Sequence, residues 1–584
     1  MTAYPDTQSM LSRLRERAER TPERLMFTHL GFDARPPVEV SSAALWQASC
    51  NVAAALAAKS TQQRPVLLVY AAGAEFPPAF FGTLLAGAIA VPVPVPQFPA
   101  QYERLERIAA DCKPAAVLTT TDLQRKLLEK VGEDSVLRAC AWIATEALPE
   151  AAFDLQDGDQ QALALLQYTS GSTSEPKGVV LTHANLVHNL DLLKLAFSPR
   201  DGVRIVSWLP HFHDMGLVTG IMAPIRSGAD AVLMSPLAFL QRPLRWLQAI
   251  TDYRGGISGA PNFAYEQCMK AAQRGDRPQF DFESWRHAFA GAEPVRMRTL
   301  EAFADCFAQD GFRREAFTPC YGMAEATLIV TCKTPGTAPT VHSLARDALQ
   351  AGRAEPTNDD DAVQLTGCGK PVGVTQVRIV DPESRIELPQ GHVGEAWIAG
   401  PQVAHGYWTR PVADPFGAQL ADGSDTRYLR TGDLGFIAGD GEFVFVDRLK
   451  DLVIVNGQNY ACHDLELSAG NGHALISAEN CVAVSSDGAD GTHLLLVAEL
   501  PAQAVAEAEA VAAAMRASLF TSCGLAVQTI AFVAPRRLCR TTSGKLQRRL
   551  TAQRLCDGSL AALAQFGSPL PPHFNSSQRG TPAQ

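Results

Sequence analysis

The chain has 584 residues, 46% hydrophobic and 19% charged, with a formal net charge of -10. That length points to two or more domains, and the composition is that of globular domains with enough apolar material for large cores. The acidic balance argues against broad nucleic-acid binding, which needs a clustered basic surface, but allows a small polyanion in a local basic pocket.

From the N-terminus, Met1 to Met10 is polar and lacks the apolar core of a secretory signal. The 13 cysteines are scattered without a C-x-x-C pair, so zinc-ribbon and thioredoxin readings fail and a reducing, cytoplasmic location is expected. Phe76 to Pro96 is almost wholly apolar, but prolines 77, 78, 92, 94 and 96 interrupt it near both ends. A membrane-spanning helix needs about 20 continuous helical residues, so a short helix near Ala79–Leu85 and a buried strand near Ala88–Val93 are expected instead, and no transmembrane segment.

Short β-type runs alternate with helical patterns through the first three quarters: Val66–Tyr70, Ala116–Thr119, Ala231–Met234 and Ala288–Gly291. The alternation predicts α/β layers with parallel strands. Val374–Val380, Gly394–Ile398 and Glu442–Val446 are spaced by turn signals and predict a small β-rich subdomain. After about residue 450 a shorter α+β unit is expected, with strands near Cys481–Ser485 and His493–Glu499 and a helix near Val505–Ser518. Residues 333–367 and 566–584 read as poor core, the latter as a disordered tail.

The strongest local signal runs Tyr168-Thr169-Ser170-Gly171-Ser172-Thr173-Ser174-Glu175-Pro176-Lys177-Gly178, between the apolar runs Ala162–Leu166 and Val179–Thr182. Small residues leave backbone N–H groups free to face an anion. The hydroxyls add donors and Lys177 a charge, the chemistry of a polyphosphate cradle. It is not a Walker A loop, which ends Gly-Lys-Ser/Thr. The plain alternative is a flexible Ser/Thr turn.

Six further motifs follow in order: Trp208–Gly216, Gly291-Ala292-Glu293-Pro294, Tyr321-Gly322-Met323-Ala324-Glu325, Thr431-Gly432-Asp433, Asp447-Arg448-Leu449-Lys450-Asp451 and Thr542-Ser543-Gly544-Lys545. With the loop, they resemble the core motifs of the acyl-adenylate-forming superfamily over roughly residues 10–560. Leu209–Gly216, Gly291–Val295 and Tyr321–Val330 are closest in wording to the fatty acyl-AMP ligases, relatives of the acyl-CoA synthetases. Residues 333–367 fall where those ligases carry an insertion thought to hinder the domain rotation that CoA ligation needs.

The resemblance implies a large N-terminal domain over 1–449 and a small mobile C-terminal domain over 450–565, hinged at Lys450. It implies ATP and Mg²⁺, a fatty acid substrate and an acyl carrier protein as acceptor. Thr169, Ser170, Gly171, Ser172, Thr173 and Lys177 would hold the β- and γ-phosphates. Glu325, with Thr169, would serve Mg²⁺, for which a hard oxygen ligand is suited. Tyr321 would stack on adenine, with Gly291, Ala292 and Glu293 on its other face and Gly322, Met323 and Ala324 completing the motif. Asp433 would accept from both ribose hydroxyls, supported by Arg448; the alternative is a structural ion pair between the two. Lys545 would reach across the domain cleft to the carboxylate and the α-phosphate, the task of a compact cation on a long stem.

His211-Phe212-His213-Asp214 has no complementary ligand set and is not read as a metal site. In the family, His213 would line the carboxylate side, where amino-acid-activating relatives typically carry an aspartate, so an amino-acid substrate is disfavoured. The acyl pocket should be apolar, since each buried CH₂ contributes about 0.8 kcal/mol. Met215, Gly216, Ile221, Met222 and Phe263 are candidates for it, or ordinary core. Two departures stand out: Ser174 replaces a usual glycine, and Cys462 replaces a usual proline, which puts the rigidity of that turn in doubt. An acyl-CoA synthetase and an inactive ligand-binding relative are the competing readings. Intact Lys545, Glu325 and Asp433 argue against the second.

Overall fold

The computed structural model describes residues 9–32, 35–155, 159–169, 176–275, 277–360, 362–409, 415–455, 458–488, 491–541 and 545–570. The large N-terminal domain is built on two sheets. The first has the strand order Gly406–Tyr407, Lys177–Thr182, Leu163–Thr169, Ile89–Val93, Pro65–Val69, Ala116–Thr119, Ala141–Ala144. It is parallel from Leu163–Thr169 onward and antiparallel at the Lys177–Thr182 and Gly406–Tyr407 end. The second runs Lys370–Pro371, Ile329–Cys332, Phe317–Gly322, His287–Ala290, Ile257–Ala260, Arg204–Ser207, Asp230–Leu233, Leu25–His29, Val38–Ser41. It too is parallel in its middle and antiparallel at both margins. The expected α/β layering is present, with these antiparallel margins as an addition to it.

Central strands such as Pro65–Val69 are buried at every position, as strands covered on both faces must be. The apolar stretch that begins at Phe76 divides as expected, into the helix Phe76–Leu85 and the strand Ile89–Val93. Pro77 and Pro78 sit in the helix's first turn, where a missing N–H costs nothing. The helix Ser42–Ala57 packs against it. A Cβ on Gly82 would stand 2.5 Å from Val52 Cβ, so only glycine permits this approach. Among the described residues no helix is long and apolar enough to cross a membrane.

Gln376–Val380, Gly394–Ala399, Leu429–Ile437 and Phe443–Arg448 form the antiparallel β-rich part. Residues 333–367, expected to be poor core, are mostly exposed or partly exposed and carry a hairpin of Val341–Leu344 and Val363–Thr366 and a short helix, Arg346–Gln350. This segment borrows a neighbour's apolar face: Leu344 is buried with Phe436 and Val444, and His342 Nε2 lies 3.3 Å from Glu442 Oε2. A few apolar residues are enough when the other half of the core is already built.

The C-terminal domain has a four-stranded sheet of Cys481–Gly488, Gly491–Glu499, Thr529–Val533 and Ala562–Gly567. The alternation of its strands serves two cores. Cys481, Ala483, Leu494 and Leu496 cluster with the helices Cys462–Asn471 and Ala508–Cys523. Val482, Val484, Leu495 and Val497 cluster with Ala552 and Leu555 of the helix Arg548–Cys556. The disordered tail expected from residue 566 does not begin there. Phe566 and Gly567 close the last strand, and the Phe566 ring lies 6.2 Å from that of Phe532. Residues 571–584 lie outside the described residues.

Candidate active site

Three of the sequence motifs leave the C-terminal ends of strands: Thr169 ends one, Gly291 follows the strand ending at Ala290, and Gly322 ends another. Open α/β sheets bind ligands at that edge, where loops can diverge. Ser170, Gly171, Ser172, Thr173 and Ser174 lie outside the described residues, so the loop is seen only at its two ends. There Thr169 pairs with Lys177 across the antiparallel ladder, and the Thr169 carbonyl accepts from Arg104 Nη2 at 3.2 Å.

The far end of the loop meets the Glu325 turn. Lys177 Nζ lies 5.1 Å from the centroid of the Tyr407 ring, and the Tyr407 hydroxyl donates to Glu325 Oε1 at 2.9 Å. The turn itself is forced by tight backbone. A Cβ on Gly322 would fall 1.8 Å from the Leu328 carbonyl oxygen, and Thr327 takes a positive φ of 66°. Met323 N–H donates to that same carbonyl at 2.9 Å. Ala324 is buried.

Two asparagines tie the helix His183–Phe197 to this turn and to residues 401–403. Asn189 Nδ2 donates to the carbonyls of Ala326 (3.2 Å) and Ile329 (3.1 Å). Asn185 Nδ2 donates to those of Pro401 (2.7 Å) and Val403 (3.0 Å) while its Oδ1 caps the helix. The helix begins directly after the strand Lys177–Thr182, so the loop and the glutamate turn share one rigid element.

A second group surrounds Asp433. Asp433 and Arg448 are direct cross-strand partners, and Arg448 Nε stands 3.2 Å from Asp433 Oδ1. The Tyr321 hydroxyl donates to the other oxygen at 2.7 Å. The ion pair weighed as an alternative from the sequence is therefore present. Asp433 raises the pKa of the Arg448 guanidinium further, and burial together with the Asp433 carboxylate pushes the Tyr321 phenol well above its usual range. The Tyr321 ring lies 4.8 Å from Phe443, tilted by 51°.

The Gly291–Glu293 turn faces this group from the next strand. A Cβ on Gly291 would lie 2.9 Å from the Cys320 carbonyl oxygen, and Ala292 has a φ of 67°. Asn262, 1% exposed, donates from Nδ2 to Glu293 Oε1 (2.9 Å) and to the Pro294 carbonyl (2.8 Å).

Lys545 comes to the same place from the C-terminal domain. Residues 542–544 lie outside the described residues, but the base of the loop is closed: Thr541 N–H donates to the Lys545 carbonyl at 2.8 Å, and Lys545 N–H to Thr541 Oγ1 at 3.1 Å. Burial and Arg448 push the ammonium below the ordinary lysine range, while the carboxylates of Asp214, Asp433 and Glu293 pull it back. In turn, burial raises the Asp214 carboxyl, and Lys545 opposes that rise. These mutual influences mark the tail lysine as a neighbour of Asp214, the Asp433 group and the 293 turn.

His213 precedes the short helix Asp214–Gly216, which runs on into a π-helical turn, Leu217–Met222. The segment is tied to the strand that ends at Thr169, because Gln167 Nε2 donates to the Phe212 carbonyl at 2.8 Å. A Cβ on Gly216 would stand 2.2 Å from the Pro210 carbonyl oxygen. His211 turns away into the core with its ring 4.0 Å from Phe76, and burial lowers its pKa to about 3. Of the acyl-pocket candidates, Gly216, Ile221 and Met222 are buried, and Met215 and Phe263 are partly buried against the main core. Cys462 resolves the doubt about its turn. Its N–H, which proline would lack, donates to Asp447 Oδ2 at 2.7 Å.

Asn185, Asn189, Asn262, Gln167 and Tyr407 were not read from the sequence as part of this site. Each acts on a backbone carbonyl or side chain far along the chain. Only the capping pattern Thr182–Asn185 carried a local signal.

Known proteins resemble the chain over most of its length. A family model for AMP-binding enzymes matches residues 14–408, and one for the AMP domain of Disco-interacting protein 2-like proteins matches residues 450–565. The chain is 35% identical to the medium-chain-fatty-acid–[acyl-carrier-protein] ligase JamA of Moorena producens, over 95% of this chain and 96% of that one. It is 34% identical to the long-chain-fatty-acid–AMP ligase FadD28 of Mycobacterium tuberculosis, over 95% and 99%. Among solved structures it is similar to the fatty acyl-adenylate ligase of L. pneumophila in complex with acyl adenylate and pyrophosphate. That match has 35% identity and a TM-score of 0.74, over 97% of this chain and 99% of that one. The chain belongs to the AMP-binding enzyme family, within the group of fatty acyl-AMP ligases.

Proposed function

We propose that this protein activates a medium- to long-chain fatty acid with ATP, forming fatty acyl-AMP and pyrophosphate, and passes the acyl group to an acyl carrier protein. The observation that carries the reading is the convergence of Lys545 with Asp433, Arg448 and Glu293, with Tyr321 bonded to Asp433. The attack of a carboxylate on an anionic α-phosphate is opposed by charge, and a cation placed where negative charge develops is the effective remedy.

In this reading the loop from Thr169 to Lys177 binds the β- and γ-phosphates, with Lys177 held over Tyr407. Asp433 takes the ribose hydroxyls, since each carboxylate oxygen has more than one acceptor position and can serve a hydroxyl beside its present partner. Tyr321 and the 291–293 turn flank the adenine. His213 faces the carboxylate, and the Leu217–Met222 turn forms the wall of the acyl pocket. Glu325 fits Mg²⁺: it is a hard oxygen donor beside the loop, and Mg²⁺ is commonly held by one or two carboxylates plus substrate phosphates. When bound, the ion neutralises phosphate charge. The domain boundary is placed at Lys450 and the insertion at 333–367. Thirteen free cysteines fit a cytoplasmic location.

Transfer to a carrier protein rather than to CoA is favoured by the place of the insertion. Arg346 of its short helix lines a cavity of about 590 Å³ with Leu467, Asn471 and Ser518 of the C-terminal domain. In this reading the insertion borders the C-terminal domain there and would have to part from it for that domain to rotate. The test is mass spectrometry of the products formed from ATP, Mg²⁺ and acids of increasing length, with CoA and with a phosphopantetheinylated carrier protein. Acyl-AMP and acyl-carrier protein are expected. Rapid acyl-CoA formation would make the protein a CoA synthetase, and no ATP consumption with any acid would end the proposal.

A further inference from the structure

We propose that Arg296 and Glu479 form an interdomain latch that positions the C-terminal domain so that Lys545 reaches the cleft; this rests on the function proposed above. Arg296 Nη1 lies 3.2 Å from Glu479 Oε1 and 3.3 Å from Glu266 Oε1. Arg296 and Glu266 belong to the large domain and Glu479 to the small one. The three side chains are only 18–22% exposed.

Both ends of the latch are anchored to the site. On the large domain, Arg296 N–H donates to Asn262 Oδ1 at 2.9 Å, and Asn262 is the residue that holds Glu293 and Pro294. On the small domain, the Glu479 carbonyl accepts from the Arg540 guanidinium. Arg540 precedes Thr541, which closes the base of the Lys545 loop, and bridges Leu546 across that base. A continuous line of contacts therefore runs from the 291–294 turn through Arg296 and Glu479 to Lys545.

The arrangement suits a reversible contact. One guanidinium serves two carboxylates, and Thr299 Oγ1 (2.9 Å) and Lys270 Nζ (3.9 Å) also support Glu266. Burial and the facing Glu479 raise the Glu266 carboxyl to about 7, so closure brings two like charges together as well as one opposite pair. When the small domain swings away, Arg296 keeps Glu266 and no buried charge is orphaned. The latch therefore adds a modest bias, enough to orient Lys545 without locking it.

The test is fatty-acid-dependent ATP–pyrophosphate exchange by the full chain carrying Glu479→Gln, Arg296→Ala, both together, or Arg296→Lys. Glu479→Gln leaves the Arg296–Glu266 pair intact and so keeps the fold. Each single loss should lower kcat about threefold to tenfold, the range of a half-buried ion pair, with KM for ATP within about twofold. The double variant should be no worse than either single one, and Arg296→Lys should recover most of the rate. Normal kcat in Glu479→Gln, losses that multiply, or a rise in KM for ATP in place of the kcat loss would each overturn the latch while wild-type exchange stands. No exchange in the wild type would overturn the underlying function and the latch with it.

Discussion

Arg548 lies three residues beyond Lys545 and gathers the acidic groups at the junction of the two domains. Its Nε and Nη2 meet Glu466 Oε1 and Oε2 at 2.5 and 2.7 Å, and its Nη1 lies 3.7 Å from Asp451 Oδ2. The Glu466 side chain is 1% exposed. Asp447 beside it is raised to about 7 by burial, with Arg548 opposing the rise and Asp451 adding to it. Arg548→Ala would leave these acids without their cation. Removing one partner of a buried pair costs about 3–5 kcal/mol, which is about 10²–10⁴-fold in a local opening constant. The carboxyls concerned have raised folded pKa values, so the folded state holds their protons more tightly than the unfolded chain. The destabilising Asp447 charge is present above about pH 7 and is relieved as pH falls through that value, and the raised Glu466 carboxyl acts in the same direction. The loss in Arg548→Ala should therefore be largest near pH 8 and smaller near pH 6. All seven tryptophans precede residue 450, so tryptophan fluorescence would miss the change. Hydrogen exchange in the helices Cys462–Asn471 and Ala508–Cys523, corrected for intrinsic rates, is the appropriate assay. Acceleration below about tenfold, or equal acceleration at both pH values, would refute the reasoning.

Lys545→Ala should lower pyrophosphate exchange by about 10²–10³ while ATP binding persists, and unchanged turnover would remove this lysine from the chemistry. Because burial and Arg448 depress its pKa, the wild-type kcat should fall on the alkaline side at a lower pH than a free lysine would give, as the charged form is lost. Gly322→Ala should destabilise by about 2 kcal/mol or more, since its Cβ would meet the Leu328 carbonyl at 1.8 Å and no rotamer relieves a backbone clash. It should also raise the Mg²⁺ concentration needed for half-maximal rate by displacing Glu325; a normal melting temperature with normal Mg²⁺ dependence would show that the turn yields.

Element positions were legible wherever the chain's own periodicity decided them. Ala116–Thr119 is the strand expected, and the strands expected near Val66–Tyr70 and Ala288–Gly291 begin or end within a residue of the observed ones. Burial of an apolar run depends mainly on that run. The hairpin within 333–367 and the strand end at Phe566 were not legible for the opposite reason: their packing depends on faces supplied by Phe436, Val444 and Phe532 from other parts of the chain.

For the candidate site, the sequence by itself determined residue type and order: a hydroxyl-rich loop with Lys177, carboxylates at Glu325 and Asp433 and a cation at Lys545, to which the family resemblance lends the proposed roles. Residue type and order along one motif are local properties, and they survive without coordinates. Only the tertiary structure decided what holds these groups together. Asn189 and Asn262 reach carbonyls or carboxylates more than 30 positions away, Tyr407 joins the loop to Glu325, and Arg296 meets Glu479 across 183 positions. A buried amide or ion pair is satisfied by whichever group the fold brings within about 3 Å, and no local pattern records which group that is.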